Sequence, residues 1–165
     1  MKRIAILLCF GVLLTVSCEK KEQKPQVFIN NKEVINVQYI RNYGHYKDIQ
    51  NPIISIISAK SELEQYYETY VKSIFNSNAG LFLEKTKIYS DDFFANNYLV
   101  VIFLEESSGS ITHKVEKIDE NGDVTINRLI PQIGTCDMAE WNIIIELDKS
   151  FNPHQFSVVL IDQFL

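Results

Sequence analysis

Tyr98-Leu99-Val100-Val101-Ile102-Phe103-Leu104 is an unbroken apolar run, too short for a buried helix and made mostly of the branched and aromatic residues that suit a pleated surface. It reads as a strand covered on both faces. The chain beyond it is strand again: residues 110–118 alternate apolar and polar, and Asn121-Gly122 is a hairpin turn leading into a strand at 124–130. Trp141, Ile143, Ile145 and Leu147 share one face of a further strand, with Asn142, Glu146 and Asp148 on the other. Asn152-Pro153 then turns the chain into a last strand at about 155–161.

Upstream of the run the period changes. Pro52 precedes Ile53-Ile54-Ser55-Ile56-Ile57, a short strand of buried type. Ser61-Glu62-Leu63-Glu64 fits a capping box. After it Leu63, Tyr66, Tyr67, Tyr70, Val71, Ile74 and Phe75 recur at helical spacing, which predicts one amphipathic helix over 61–75 that packs on the sheet and serves stability. Asn76-Ser77-Asn78-Ala79-Gly80 ends it, the stretch up to Tyr89 has room for a short helix crossing to the sheet, and Ser90 caps one or two turns opened by Asp91 and Asp92. At the front, Val27-Phe28-Ile29, a turn at Asn30-Asn31-Lys32 and a strand at 33–41 read as a hairpin, and 42–46 as a loop. The expected class is α+β: a mainly antiparallel β-sheet or sandwich, with one long amphipathic helix and short helical segments inserted before the C-terminal strands.

The first residues have a different logic. Met1-Lys2-Arg3 is a cationic start, residues 4–14 are an apolar stretch, and Thr15-Val16-Ser17-Cys18 resembles a bacterial lipobox with Thr15 where leucine is commonest. The apolar stretch is shorter than the roughly 20 residues that span a bilayer, and a cysteine at the cleavage position favours lipidation over ordinary secretion. Residues 1–17 are thus expected to be a lipoprotein signal peptide, with Cys18 carrying a diacylglyceryl group. Two acyl chains, at about 0.8 kcal/mol per buried methylene, suffice for stable anchoring. Glu19-Lys20-Lys21-Glu22-Gln23-Lys24-Pro25-Gln26 has no apolar residue, so residues 18–26 are expected to form the lipidated cysteine and a solvated tether, and 27–165 a single domain. The protein is then lipid-anchored in the cell membrane and extracytoplasmic, periplasmic-facing if its source has an outer membrane.

Charge narrows the partners. Removing residues 1–17 takes away Lys2 and Arg3, leaving 14 basic against 21 acidic side chains, a net charge of −7. That argues against nucleic acid as a partner and against a basic face lying on anionic lipid. Membrane contact is expected through the lipid on Cys18. With Cys9 in the signal and Cys18 lipidated, Cys136 is left as a lone thiol, for which burial is the usual fate.

Few residues suggest chemistry. Asp119-Glu120-Asn121-Gly122-Asp123 lacks the spacing and the closing glutamate of a calcium loop. His45, His113 and His154 have no partner at ligand spacing, so no metal site and no cofactor are proposed. Cys136 as nucleophile with His113 as base, oriented by Asp137 or Glu140, is the alternative by residue type, a small thiol-dependent hydrolase. A lipid-anchored solute binder is another. Two loops stand out instead by composition. Glu105-Glu106-Ser107-Ser108-Gly109-Ser110 is small and flexible, and residues 131–140, which include Gly134, Thr135, Asp137 and Glu140, form a connection longer than most hairpins need.

The segments Tyr98-Leu99-Val100-Val101-Ile102-Phe103-Leu104, Ser107-Ser108-Gly109-Ser110-Ile111-Thr112-His113-Lys114-Val115 and Gly134-Thr135-Cys136-Asp137-Met138-Ala139-Glu140-Trp141 resemble a family of uncharacterised predicted lipoproteins of gut Firmicutes, and the resemblance extends back over residues 52–67. More remotely, the strand, small-residue turn and strand over 98–118 are similar to the C-terminal domain of PrcB, a subunit associated with a protease complex. Where the PrcB turn carries Thr-Gly-Gly-Tyr, this chain has Ser108-Gly109-Ser110-Ile111. Exposed loops on a β-rich scaffold without an assembled catalytic set lead to the expectation of a protein- or cell-envelope-binding module, to which the PrcB resemblance adds protease association. Ser107, Ser108, Gly109 and Ser110 together with Gly134, Thr135, Asp137 and Glu140 are its expected surface.

Overall fold

The computed structural model describes residues 28–29, 32–33, 36–42, 51–72 and 79–165. The signal segment, Cys18, the tether, the loop at 43–50 and residues 73–78 lie outside the described residues.

Two sheets carry the fold. One holds four strands in the order β3-β8-β5-β4: β3 (Asn36–Asn42), β4 (Ile53–Ile57), β5 (Asn97–Glu106) and β8 (Ala139–Asp148). The other runs β2-β1-β6-β7-β9: β1 (Phe28–Ile29), β2 (Lys32–Glu33), β6 (Thr112–Ile118), β7 (Asp123–Ile130) and β9 (Ser157–Phe164). Pairing is antiparallel except for β1 with β6 and β7 with β9. The expected hairpin divides between them. β1 and β2 form its short root, whereas β3 leaves for the other sheet and pairs along its whole length with β8, Asn36 opposite Glu146 and Asn42 opposite Glu140.

The apolar run sits at the centre. β5 lies between β4 and β8, with the facing sheet on one face and the helices on the other, and residues 98–104 are buried throughout. One face looks into the sandwich, where Tyr98, Val100, Ile102 and Leu104 meet Val115, Ile118, Val124 and Ile126 of the facing sheet. The opposite face packs Leu99 and Val101 under the helices, against Leu63, Tyr66, Val71, Phe82, Tyr89 and Phe94. The four-stranded sheet is therefore the middle of three layers. This explains why Asn142 and Glu146, on the polar face of β8, are buried too.

The helical layer is shorter in its parts than the periodicity predicts. Helix α1 covers Lys60–Tyr66 and runs directly into one π-helical turn, Tyr67–Val71, closed by Lys72 N donating to Tyr67 O at 2.8 Å. Its N-cap is Ala59 instead of Ser61, and Glu62 reaches back to the Ser58 N–H at 2.6 Å. Tyr66 and Tyr70 share one aromatic cluster with Phe82: the Tyr66 ring lies 5.1 Å from Tyr70 and 5.9 Å from Phe82. Helix α2 (Ala79–Thr86) and helix α3 (Asp91–Asn96) complete the layer, and the Ser90 side chain caps α3 at Phe93 N.

The turn between β6 and β7 is the expected one. Asp119 Oδ1 accepts the N–H groups of Asn121 and Asp123, at 2.9 and 3.0 Å, and Gly122 adopts φ +93°, the left-handed region that favours glycine. A bulge between Val115 and Lys117 interrupts β6, and the Tyr39 hydroxyl accepts the Val115 N–H at 2.8 Å from across the sandwich.

Candidate functional site: the paired inter-sheet loops

Strand register brings two connections together at one end of the sandwich. Glu106, closing β5, lies opposite Ala139, opening β8, while Thr112, opening β6, lies opposite Leu129 near the end of β7. The β5–β6 link (107–111) and the β7–β8 link (131–138) must therefore cross between the sheets side by side. They are joined by hydrogen bonds. Ser108 Oγ accepts the Thr135 N–H at 2.9 Å and lies 2.8 Å from Ser110 Oγ and 3.2 Å from Thr135 Oγ1. The Gly109 N–H donates to Asp137 O at 2.7 Å, and Arg41 Nη2 donates to Asp137 Oδ2 at 2.6 Å.

Gly109 is what lets the loops approach. It is buried, and a Cβ there would fall on the Arg41 guanidinium and the Asp137 carboxylate. A hydrogen bond from Thr135, with the charge of Arg41 and the Gly109 amide adding to it, holds the Asp137 carboxyl below its usual pKa. Gly134 packs its Cα side close to Ser108 Oγ. The clamp presents apolar groups outward: Ile133 is 87% exposed, Met138 is exposed, and so is Cys136. Ser107 is exposed at the edge of the same surface.

Other expected residues are placed elsewhere. Glu140 is wholly buried on the helix side of β8, in the row Asn42, Glu140, Glu105 across three strands, and so faces away from the loops. Cys136 is exposed, against the burial expected of a lone thiol. His113 is interior: its Nε2 lies 2.8 Å from Glu106 Oε1 and its ring meets Trp141 edge-on at 5.3 Å. Among the described residues no hydrogen bond joins Cys136 to a histidine, and Asp137 is engaged by Arg41.

Beneath the loops lies an ionic cluster that pattern reading misses. Glu106, 3% exposed, receives Arg128 Nε at 2.8 Å and Nη2 at 2.6 Å, a bidentate fork, while Arg128 Nη1 reaches Asp162 Oδ1 at 2.6 Å. Burial pushes the Glu106 carboxyl up, but the bonds from Arg128 and His113 outweigh it and bring the pKa down to about 2. The available signal is parity. Arg128 alternates with Val124 and Ile126, and His113 with Val115, so both charged rows have to point inward. On the helix side the Tyr66 hydroxyl donates to Asn142 Oδ1 at 2.6 Å.

A half-open groove of about 690 Å³ lies between α1 and α2, lined among others by Leu63, Tyr67, Phe82 and Tyr89 with Lys60 and Glu64 at its rim. Among the described residues, no group of three or more His, Cys, Asp or Glu is arranged to hold a metal, and no helix is long and apolar enough to cross a membrane. No family model, curated protein or solved structure matches the chain.

Proposed function

We propose that this is a lipoprotein held by the diacylated Cys18 at the extracytoplasmic face of a membrane, whose domain at 27–165 binds another protein or a cell-envelope component through the paired inter-sheet loops. The observation that carries the reading is the clamp itself. Ser108, Gly109, Thr135, Asp137 and Arg41 fix a long exposed connection by direct hydrogen bonds, so Ile133 and Met138 are held out in water at little further ordering cost on binding. Apolar anchors on a pre-organised loop, ringed by hydroxyls and a carboxylate, have the make-up of a protein-docking surface. The PrcB resemblance over 98–118 supports a protease complex as the class of partner.

No reaction is assigned. The thiol-hydrolase alternative needs a base beside Cys136, and the geometry engages His113 with Glu106 instead. The solute-binding alternative draws on the groove between α1 and α2, where filling it with Leu83→Trp should abolish saturable uptake of a small apolar dye.

A photo-crosslinking residue tests the main reading. Placed at Ile133 in the membrane-anchored protein, it should give a discrete adduct that Met138→Asp weakens. The same residue at exposed Leu83, on the helix layer, should give none. Equal labelling from both positions, or none from Ile133, would rule the loop surface out.

A further inference from the structure

The outer edge of β9 is a long strand edge at the end of the five-stranded sheet. Ser157 N donates to Gly122 O at 3.2 Å and Leu165 N to Ile130 O at 3.0 Å, and between these bonds the register with β7 never shifts. Residues 157, 159, 161, 163 and 165 thus turn their backbone groups towards β7. Val158, Leu160, Asp162 and Phe164 turn theirs outward. Edges are ordinarily blunted by shortness, lysine, proline or a bulge. β9 has eight residues and none of these devices, and its single charge, Asp162, is already paired with Arg128. Its side chains are apolar on both faces: Val159, Leu160, Ile161, Phe164 and Leu165 are all exposed, Phe164 at 77%.

We infer that this edge pairs with β9 of a second copy, antiparallel about a two-fold axis through Ile161. In that register Val158 lies opposite Phe164 of the second copy and Leu160 opposite its Asp162, so every outward N–H and C=O from 158 to 164 finds a partner. Ile161 meets its own counterpart on the outer face. A shift that set Asp162 against Asp162 would oppose two carboxylates, and this register avoids it. Antiparallel pairing also closes: the edge is used up by one partner, whereas head-to-tail pairing would leave it open for fibre growth. The result is a continuous ten-stranded sheet with the two loop surfaces at opposite ends and both free. One eight-residue strand edge is a small contact beside the ~800 Å² per partner typical of a stable interface, so the association is a reversible one. Each copy is net negative, −5 over the whole sequence, so salt strengthens the association.

Sedimentation equilibrium of the full chain in detergent tests this. Wild type should shift from one copy to two as concentration rises towards about 0.5 mM, and further in high salt. Leu160→Pro removes an N–H that points outward and leaves the β7 ladder whole, and should weaken association at least tenfold while melting near wild type. Ile161→Lys, which sets two ammonium groups face to face on an exposed surface, should do the same should the proline variant fold poorly. A wild type that stays single up to the highest concentration, even if it takes up an unrelated strand peptide, overturns the proposal. So does association undiminished in the folded variants.

Discussion

Glu106 sits where two sheets and three strands meet, and its ion pairs tie the stability of the fold to pH. Its carboxyl titrates at about 2 in the folded protein against 4.5 ordinarily, a difference that corresponds to roughly 3 kcal/mol of stability. Because the folded value is the lower one, that contribution is complete above pH 4.5 and is lost as pH falls from 4.5 towards 2. Glu106→Gln should therefore unfold about 3 kcal/mol more easily at neutral pH, with Arg128 keeping its bond to Asp162, and the gap to wild type should close on acidification. Urea titrations of both proteins across that range check it; a gap independent of pH would mean that Glu106 acts by packing. Gly109→Val makes a separate case. The side chain has no room beside Arg41 and Asp137, so the loops should part, with lowered thermal stability and faster amide exchange at Thr135, whose N–H otherwise lies on Ser108.

At the scale of elements, α1 and its π-helical turn are held by burial. Leu63 is 6% exposed, and Leu63→Ala should cost about 2–5 kcal/mol through lost transfer energy and a residual cavity. Glu68 and Lys72 form an exposed pair at 2.7 Å, and replacing either with alanine should change stability by less than about 0.5 kcal/mol. Thermal melts distinguish the two, and a neutral Leu63→Ala would mean that the buried face is the other one. The strands from residue 97 onward are legible in the sequence because β5 is an unbroken apolar run, β6 and β8 alternate, and Asn121-Gly122 turns β6 into β7. The helix is less so. Tyr66, Tyr67 and Tyr70 share a face at ordinary helical spacing, but the hydrogen bond from Lys72 N to Tyr67 O that closes the helix in a π-helical turn is something no propensity scale signals. β3 looks like half of a local hairpin because its true partner, β8, is about a hundred residues away and leaves no local trace. Of the site, loop composition points to Ser108, Gly109, Thr135 and Asp137. Arg41, Arg128 and Asp162 are hidden from it because their contacts depend on which distant strands pair and how the sheets stack: Arg128 meets Asp162 on the neighbouring strand and Glu106 on the facing sheet.

For the whole molecule, the leading test is the anchor. Growth with a clickable fatty acid should label the wild-type protein and leave Cys18→Ala unlabelled and released from the membrane fraction; equal labelling would end the lipoprotein reading. The architecture also has a temporal side. β8 is the strand that joins β3 to β5, and it is made late, at Ala139–Asp148. Until it emerges, β3 has no neighbour in its sheet, and the helices have only the β4–β5 pair to cover. A nascent chain halted before Ala139 should accordingly be open to proteases along its length, and one extended past Asp148 should close its middle layer in a single step. Such a polypeptide would leave its middle layer open for most of its synthesis.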